Sequence, residues 1–279
     1  MGISNFIWNA AYNIGLILRN EPPQSKKGLL LTYLKLRLKY LLSLKLLKFS
    51  NEKIFGFKVR FFDYPSFILL FEEIFIKKDY YLNTKASSPV IIDCGSNIGM
   101  ALLFFKKLYP GSKIIAFEPD KKTFEILKEN VETNKLKYVE VVNKAVYNSE
   151  GTIDFYYDPD HPGSLWMSVE KERLPKACGQ VDSVLLSNYV RGRVDFLKMD
   201  IEGAEYLVIE ELSHRNKLKL IKEMVIEYHH HIKPADDNFS KILKILEENG
   251  FGYQISTFSI PQPLNKKKFQ DISIYAYKK

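Results

Sequence analysis

The chain has 279 residues, 46% of them hydrophobic, enough for one large α/β core with an appendage. Its two cysteines, Cys94 and Cys178, argue against a disulfide framework and for a reducing compartment, and no cysteine–histidine pair has zinc-ligand spacing. The net charge of +8 is uneven: residues 1–50 carry eight Lys and Arg against Glu21 alone, a surplus of +7 that leaves the remaining 229 residues nearly neutral.

Residues 3–19, with Phe6, Ile7, Trp8, Tyr12, Ile14, Leu16, Ile17 and Leu18, read as a helix that Pro22-Pro23 ends. Residues 27–49 are dense in leucine and lysine. Thr32, Lys35, Lys39 and Ser43 fall on one helical stripe, with Arg37, Lys45 and Lys48 roughly opposite. The alternation from Leu34 to Lys39 also fits a strand, but helix is the reading taken. Five bases within 29–49 argue against a transmembrane span. Two readings of this arm stand: a helix lying on an anionic membrane surface, or a helix packed on the body of the protein with its lysines in water, the second weighted more heavily. The N-terminus lacks the features of a signal peptide. The expected location is cytoplasmic, with peripheral contact to an anionic membrane through residues 27–49 as the further option. A domain boundary is expected after residue 50, with 51–279 forming the main α/β body.

Residues 54–61 alternate around Gly56 and read as strand or hairpin. Residues 67–81 have apolar side chains at helical spacing and run into the Ser87-Ser88-Pro89 break. Regular alternation follows: strand 90–94, helix 98–108, strand 113–118, helix 121–134 and strand 138–143. This βαβαβ order is the half-unit of a doubly wound parallel sheet. The stretch 145–193 is less regular, with strand 152–157, a loop at 161–164 and a strand running into a helix over 181–189. Strand 194–199, helix 203–213, strand 222–228 and helix 238–249 come next, the last stopping at Asn249-Gly250. Segments 251–257 and 271–277 are expected to close the sheet as an antiparallel pair.

The most informative residues are Asp93-Cys94-Gly95-Ser96-Asn97-Ile98-Gly99, between the first strand of that alternation and its helix. Glycines in a strand-to-helix turn let a ligand touch bare backbone. Asp93 ends the strand where open parallel sheets bind ligands, and its carboxylate suits an ammonium group. Asn97 offers both a donor and an acceptor. The turn matches neither the Gly-x-Gly-x-x-Gly dinucleotide fingerprint nor a P-loop. Glu118, before Pro119, ends the second strand, where an acid can accept from both hydroxyls of a ribose. A nicotinamide cofactor would want the same acid, so the turn is what separates the two readings. Asn143-Lys144-Ala145-Val146 leaves the third strand at the same edge, where backbone groups can pair with an adenine. The cofactor set read here is Asp93, Gly95, Ser96, Asn97, Gly99, Glu118, Pro119, Asn143 and Ala145.

Asp200-Ile201-Glu202-Gly203-Ala204-Glu205 ends a further strand and places three carboxylates within six residues, near a ligand-binding edge, where they are costly unless used or solvated. Asp200 stands where an acceptor would meet the cofactor, the alternative being a helix N-cap. Glu205 is read as a cap or a brace. Glu227 and His229 arrive from the neighbouring strand end, and the catalytic set is Asp200, His229 and Glu227. The alternative for His229-His230-His231 is a polar strand-exit loop, and at most one of the three histidines is expected to act. A divalent ion such as Mg²⁺ would suit Asp200 with Glu227, as a secondary reading; no metal is assigned.

These motifs resemble the FkbM-like family of class I S-adenosylmethionine-dependent methyltransferases. The resemblance runs from residues 67–81, with Phe71-Glu72-Glu73-Ile74-Phe75, through Ile92-Asp93-Cys94-Gly95-Ser96-Asn97-Ile98-Gly99, Phe117-Glu118-Pro119 and Asn143-Lys144-Ala145-Val146 to Leu197-Lys198-Met199-Asp200-Ile201-Glu202-Gly203-Ala204-Glu205. It covers about residues 54–279, and the Lys-x-Asp-x-Glu-Gly-x-Glu block is its most specific part. It implies a Rossmann-like α/β fold, a doubly wound and mostly parallel seven-stranded sheet preceded by the helical extension. It also implies S-adenosylmethionine as cofactor, held by Asp93, Gly95, Asn97, Gly99 and Glu118, and methylation of a hydroxyl on a sugar, a glycan or another small molecule. Cys94 departs mildly from the family's usual aliphatic or small residue, which cysteine can replace as a small hydrophobe. Residues 1–50 lie outside the resemblance.

Three other readings compete. A nucleic-acid methyltransferase is suggested by the basic arm. However, adenine amino methylation goes with an Asn/Asp-Pro-Pro-aromatic turn where Asp200-Ile201-Glu202-Gly203 stands, and neither cysteine fits the nucleophile of cytosine methylation. The second is a membrane-associated protein that keeps a cofactor fold without catalysis, and the third a nicotinamide oxidoreductase.

Overall fold

The computed structural model describes residues 3–20, 23–43, 47–233, 238–257 and 269–279. Pro22 and residues 44–46, which belong to elements read from the sequence, lie outside the described residues. By contact the chain divides into two compact units, residues 1–83 and 84–279. The hairpin and the aromatic helix that follow residue 50 therefore group with the basic helices, whereas the sequence places its boundary before them.

In the first unit, α1 (Ile3–Asn20) and α2 (Pro23–Ser43) precede a hairpin of β1 (Asn51–Ile54) and β2 (Phe57–Arg60). Then comes α3 (Tyr64–Phe71), whose N-cap Asp63 accepts a hydrogen bond from the Ser66 N–H at 2.8 Å. It continues into a π-helical turn, Glu72–Lys77, that ends on Lys78 in the left-handed conformation. Stacked rings of Phe55, Phe71 and Phe75, and of Phe61 and Phe67, fill the interior. Glu72 is buried and satisfied: it accepts from Tyr33 Oη at 2.9 Å, Arg37 at 3.1 Å and Asn9 at 3.0 Å.

The second unit is built on a seven-stranded sheet. Its strands in chain order are β3 (Val90–Cys94), β4 (Lys113–Phe117), β5 (Val139–Val142), β9 (Val194–Met199), β10 (Ile221–His230), β11 (Phe251–Thr257) and β12 (Gln270–Lys278). The spatial order is β11-β12-β10-β9-β3-β4-β5, and β12 alone runs against the others. Helices α4 (Met100–Leu108), α5 (Lys121–Thr133), α6 (Glu205–His214) and α7 (Phe239–Glu248) make the crossovers. Strands β3 and β9 are rich in apolar residues because both faces are covered, with Ile91, Ile92, Leu197 and Met199 fully buried, and their charges are Asp93, Asp195 and Lys198. This is the doubly wound, mostly parallel seven-stranded α/β sheet expected from the sequence, with its antiparallel closing pair.

A feature not read from the sequence lies between β5 and β9. There β6 (Ala145–Tyr147), β7 (Gly151–Tyr157) and β8 (Ala177–Leu185) form a separate three-stranded sheet. The expected helix near 186–189 is a single 3₁₀ turn, Leu186–Asn188.

Candidate active site

From β3 the strands β4 and β5 run to one side and β9 and β10 to the other, so the crevice for a ligand opens at the carboxyl ends of β3 and β9. Register then decides which side chains share it. Asp93 stands opposite Lys198 across β3 and β9, and Lys198 opposite Val225 of β10. Alternation carries Glu227 and His229 to the same face, and Asp271 of β12 stands opposite His229.

The turn after β3 is held by backbone and by Glu118. The Gly95 and Ser96 N–H groups donate to Phe117 O at 3.1 and 2.8 Å, and Ser96 Oγ donates to Asp93 O at 2.9 Å. Asn97 is left-handed, φ 48°, and its Oδ1 accepts from the Ile98 N–H. Gly95, φ 81°, is required by space as well as conformation, since a Cβ there would lie 1.8 Å from Asp200 O. Glu118 is buried, and its two oxygens accept from the Asn97 and Asp120 N–H groups, each at 2.9 Å. Burial raises its carboxyl to about 8 despite those two donors. Asn143 ties the third strand end to the second, donating to Glu118 O and Pro119 O at 2.9 Å each. Ala145 is buried at the start of β6.

Asp93 is fully buried, and neither of its carboxylate oxygens has a hydrogen-bond partner among the described residues. Its counter-charge is Lys198, 3.4 Å away, and burial raises its carboxyl while Lys198 opposes the rise. Lys198 also donates to Gly95 O at 2.6 Å and lies 3.5 Å from Asp200 Oδ2. Burial would strip its proton, but Asp93, Asp200 and Glu227 outweigh burial and hold the ammonium form. One lysine thus joins the glycine turn to the acidic segment after β9.

That segment surrounds His229. Nδ1 lies 2.8 Å from Glu205 Oε1, and Nε2 lies 3.2 Å from Glu202, 3.8 Å from Asp200 and 3.9 Å from Asp271. Burial works against a charged ring, yet Glu202 and Glu205 raise the imidazole well above its ordinary value. His229 is therefore an imidazolium at neutral pH. Glu202 also accepts from Arg173 Nε at 2.7 Å, and its carbonyl accepts from Ser168 Oγ, which brings the loop after β7 to the site. Asp200, Glu227 and His229 each offer an atom within 4.8 Å of the others, a spacing that could hold a metal ion. A metal there would need the His229 ring neutral, so metal binding and the ring's second proton exclude one another.

The residues expected to act from the sequence are thus brought to one edge, and the structure sets aside the two alternatives weighed beside them. His229 and His230 are not in a strand-exit loop: β10 continues to His230, and both are buried. Pairing with β12 extends the strand past the point where its apolar pattern stops. His230 packs on the other face among Tyr228, Phe239 and His231, as expected if one of the three serves the site. Nor is Asp200 a helix cap, because α6 begins at Glu205 with Ala204 as N-cap. Four site residues had no role in the sequence reading: Lys198, Arg173, Glu202 and Asp271. Lys198 had a signal, a charge inside the apolar run of β9; Arg173 lies in the irregular stretch and had none.

Residues 93–253, more than half of the chain, match the Methyltransferase FkbM domain. This chain belongs to the FkbM methyltransferase family. The FkbM chain is 29% identical over 190 residues to methyltransferase sdnD of Sordaria araneosa, covering 57% of this chain and 73% of that protein. It is 29% identical over 205 residues to methyltransferase 1 of Beauveria bassiana, covering 66% and 80%. Among solved structures, the FkbM methyltransferase of Methylobacillus flagellatus superposes with a TM-score of 0.46 at 17% identity, over 98% of this chain and 60% of that one. Methyl transfer is the reaction class of the family. At this site the carboxylates Asp93, Asp200, Glu202, Glu205, Glu227 and Asp271 outnumber the cations Lys198, Arg173 and His229. Such an edge attracts a cationic ligand.

Proposed function

We propose that the chain transfers the methyl group of S-adenosylmethionine to a hydroxyl of a sugar, a glycan or another small molecule. The observation that carries this reading is Asp93: a fully buried carboxylate, both oxygens without hydrogen-bond partners, at the topological switch of the sheet. Lys198 faces those oxygens at 3.4 Å and closes them from solvent, so a ligand ammonium would engage Asp93 through water or by displacing the lysine. Glu118 accepts from the ribose hydroxyls, each hydrogen bond to the charged carboxylate contributing about 1.5–3 kcal/mol. Gly95 and Gly99 give the turn its left-handed backbone and its close packing on Asp200 O and Leu127, and Asn143 and Ala145 hold the third strand end where an adenine would lie. When bound, the cofactor supplies an electrophilic methyl group on a sulfonium, and the excess of carboxylates at this edge favours that positive charge.

Asp200 is the base of this reading. Its side chain is a quarter exposed, so an acceptor can reach it, while Lys198 and His229 hold it from two sides. S-adenosylmethionine held here would give its methyl group to the acceptor oxygen and leave as the thioether, and the hydroxyl proton would pass to Asp200. Holding the partners in line supplies about 7–11 kcal/mol of barrier reduction, and the base a further ~10²–10⁴-fold in rate. Glu227 orients the acceptor beside Asp200. His229, as an imidazolium, positions Asp200 and Glu202 and does not take the proton.

The acidic segment itself supports oxygen as the acceptor. Asp200-Ile201-Glu202-Gly203 offers no aromatic platform for a base amino group. Burial, with Asp93 beside it, pushes the Cys94 thiol far up, so it is no nucleophile. The test is an acceptor screen with methyl-labelled S-adenosylmethionine and sugars, glycans and small hydroxylated molecules. Label in a methyl ether supports the proposal. Label in nucleic acid, or no calorimetric binding of S-adenosylhomocysteine, ends it.

A further inference from the structure

We propose that an exposed leucine face of α2 docks the protein on an anionic lipid bilayer. Helix α2 is apolar on two opposite sides. One side, with Leu29, Tyr33 and Leu36, is buried within the first unit. The other presents Leu31, Leu34, Leu38 and Leu41, exposed by 57, 47, 61 and 46%. Steps of three, four and three residues keep these four on one stripe roughly 15 Å long. Single exposed leucines are ordinary, but a continuous row of four marks a contact surface. On α1, Trp8 and Tyr12, one turn apart, are also exposed, by 75 and 52%. Tryptophan and tyrosine are the aromatic residues that settle at the level of lipid headgroups.

The bases do not cover this face in the way their number suggests. Lys35 and Lys39 pair with Glu52 at 3.0 and 2.8 Å, and Arg37 is buried against Glu72. Three of the arm's bases thus anchor α2 within its own unit and leave the leucines outward. Arg19, Lys27 and Lys48 are exposed, and Lys27 lies one turn before Leu31 on the same stripe.

Charge chooses the occupant. Residues 1–83 carry thirteen Lys and Arg against six Asp and Glu, a surplus of +7. Pairing the leucine row with that of a second copy would bring two such surpluses together. An anionic bilayer instead attracts the bases and takes up the leucines, as an interfacial helix sinks about 5–10 Å into the headgroup boundary. No described helix is long and apolar enough to cross a membrane, so the contact is peripheral.

The experiment is vesicle flotation of the full chain with phosphatidylcholine alone and with phosphatidylglycerol added. Binding is expected to need the anionic lipid and to fall with salt. Replacing all four leucines (L31Q, L34Q, L38Q and L41Q together) should reduce the bound fraction about tenfold or more. These side chains face solvent, so circular dichroism and S-adenosylhomocysteine binding should not change. Lys26→Glu with Lys27→Glu should weaken binding while the leucines remain. The proposal is overturned if the unaltered chain does not float, or if the glutamine variant floats equally well. It is also overturned if light scattering finds a dimer that the glutamine variant converts to a monomer, since a second copy would then own the face.

Discussion

Glu205 Oε1 lies 2.8 Å from His229 Nδ1 and accepts the Gly203 N–H at 3.0 Å, so one oxygen ties the end of β10 to the turn that follows β9. Both side chains are almost wholly buried, 1% and 2% exposed. A contact of this kind holds a catalytic edge rigid, because neither partner can leave without stranding the other.

That dependence gives the first prediction. His229→Leu leaves the Glu205 carboxylate buried without its cation and should cost about 3–5 kcal/mol, read as a drop in the thermal unfolding midpoint. His229→Gln keeps a donor for Glu205 and should lose much less. Equal losses for the two variants would show that packing, not pairing, is what His229 supplies.

Asp200 is expected to separate chemistry from binding. Asp200→Asn should lower turnover ~10²–10⁴-fold with the acceptor found by the screen. The calorimetric affinity for S-adenosylhomocysteine should stay within a few-fold, since Asp93 and Glu118 are untouched. A variant that loses affinity and turnover together would assign Asp200 to the cofactor.

Glu118 carries a pH signature. Burial raises its carboxyl from an ordinary 4.5 to about 8, so the folded protein holds this proton at pH 7. The stability this gives is present in full below pH 4.5 and is lost as pH rises through 8. Ribose hydroxyls donate to the deprotonated form, so S-adenosylhomocysteine should bind more tightly between pH 7 and 9 and release a proton on the acid side. Glu118→Gln should abolish that pH dependence and weaken binding by roughly 10–100-fold. A flat profile in the unaltered protein would remove Glu118 from the cofactor site.

The glycine turn can be tested against an internal control. Gly95→Ala puts a methyl group 1.8 Å from Asp200 O at φ 81° and should prevent folding or sharply reduce stability. Gly192→Ala meets nothing within 4 Å and carries no such φ, so its unfolding should match the parent within about 0.5 kcal/mol.

Metal removal distinguishes the two ways of using the acids. With His229 an imidazolium, Asp200 works as a base, and EDTA should leave turnover unchanged. Loss of turnover with EDTA, restored by Mg²⁺, would put a cation among Asp200, Glu227 and His229 instead.

Much of this protein was legible before folding was considered. The apolar runs at 90–94, 113–117 and 194–199 declare buried parallel strands because both faces of such strands are covered. The glycines around Asn97 declare a turn because few other residues tolerate its backbone angles. Asp93, Glu118 and Asp200 declare themselves because acids at strand ends near such a turn are costly unless used. The histidine run was less legible. Its residues are polar, and alternation alone cannot say that β12 pairs as far as His230 and keeps the strand going. Strands at 152–157 and from 181 were legible, but not that β8 pairs with β7 and β6 in a sheet of their own, because alternation along a strand does not name its partner.

The order of residues along the chain determines the doubly wound sheet, the turn at its switch and the acids at its edge, since these follow from local spacing and chain sense. The tertiary structure decides which of those acids meet. Register puts Lys198 between Asp93 and Asp200 and sets Glu205, Glu202 and Asp271 around one buried imidazole, so the charge on His229 is a property of contacts up to 42 residues apart in sequence. It decides, too, that leucines rather than lysines form an outward face of α2, because Glu52 and Glu72 lie where they can pair with three of the helix's bases.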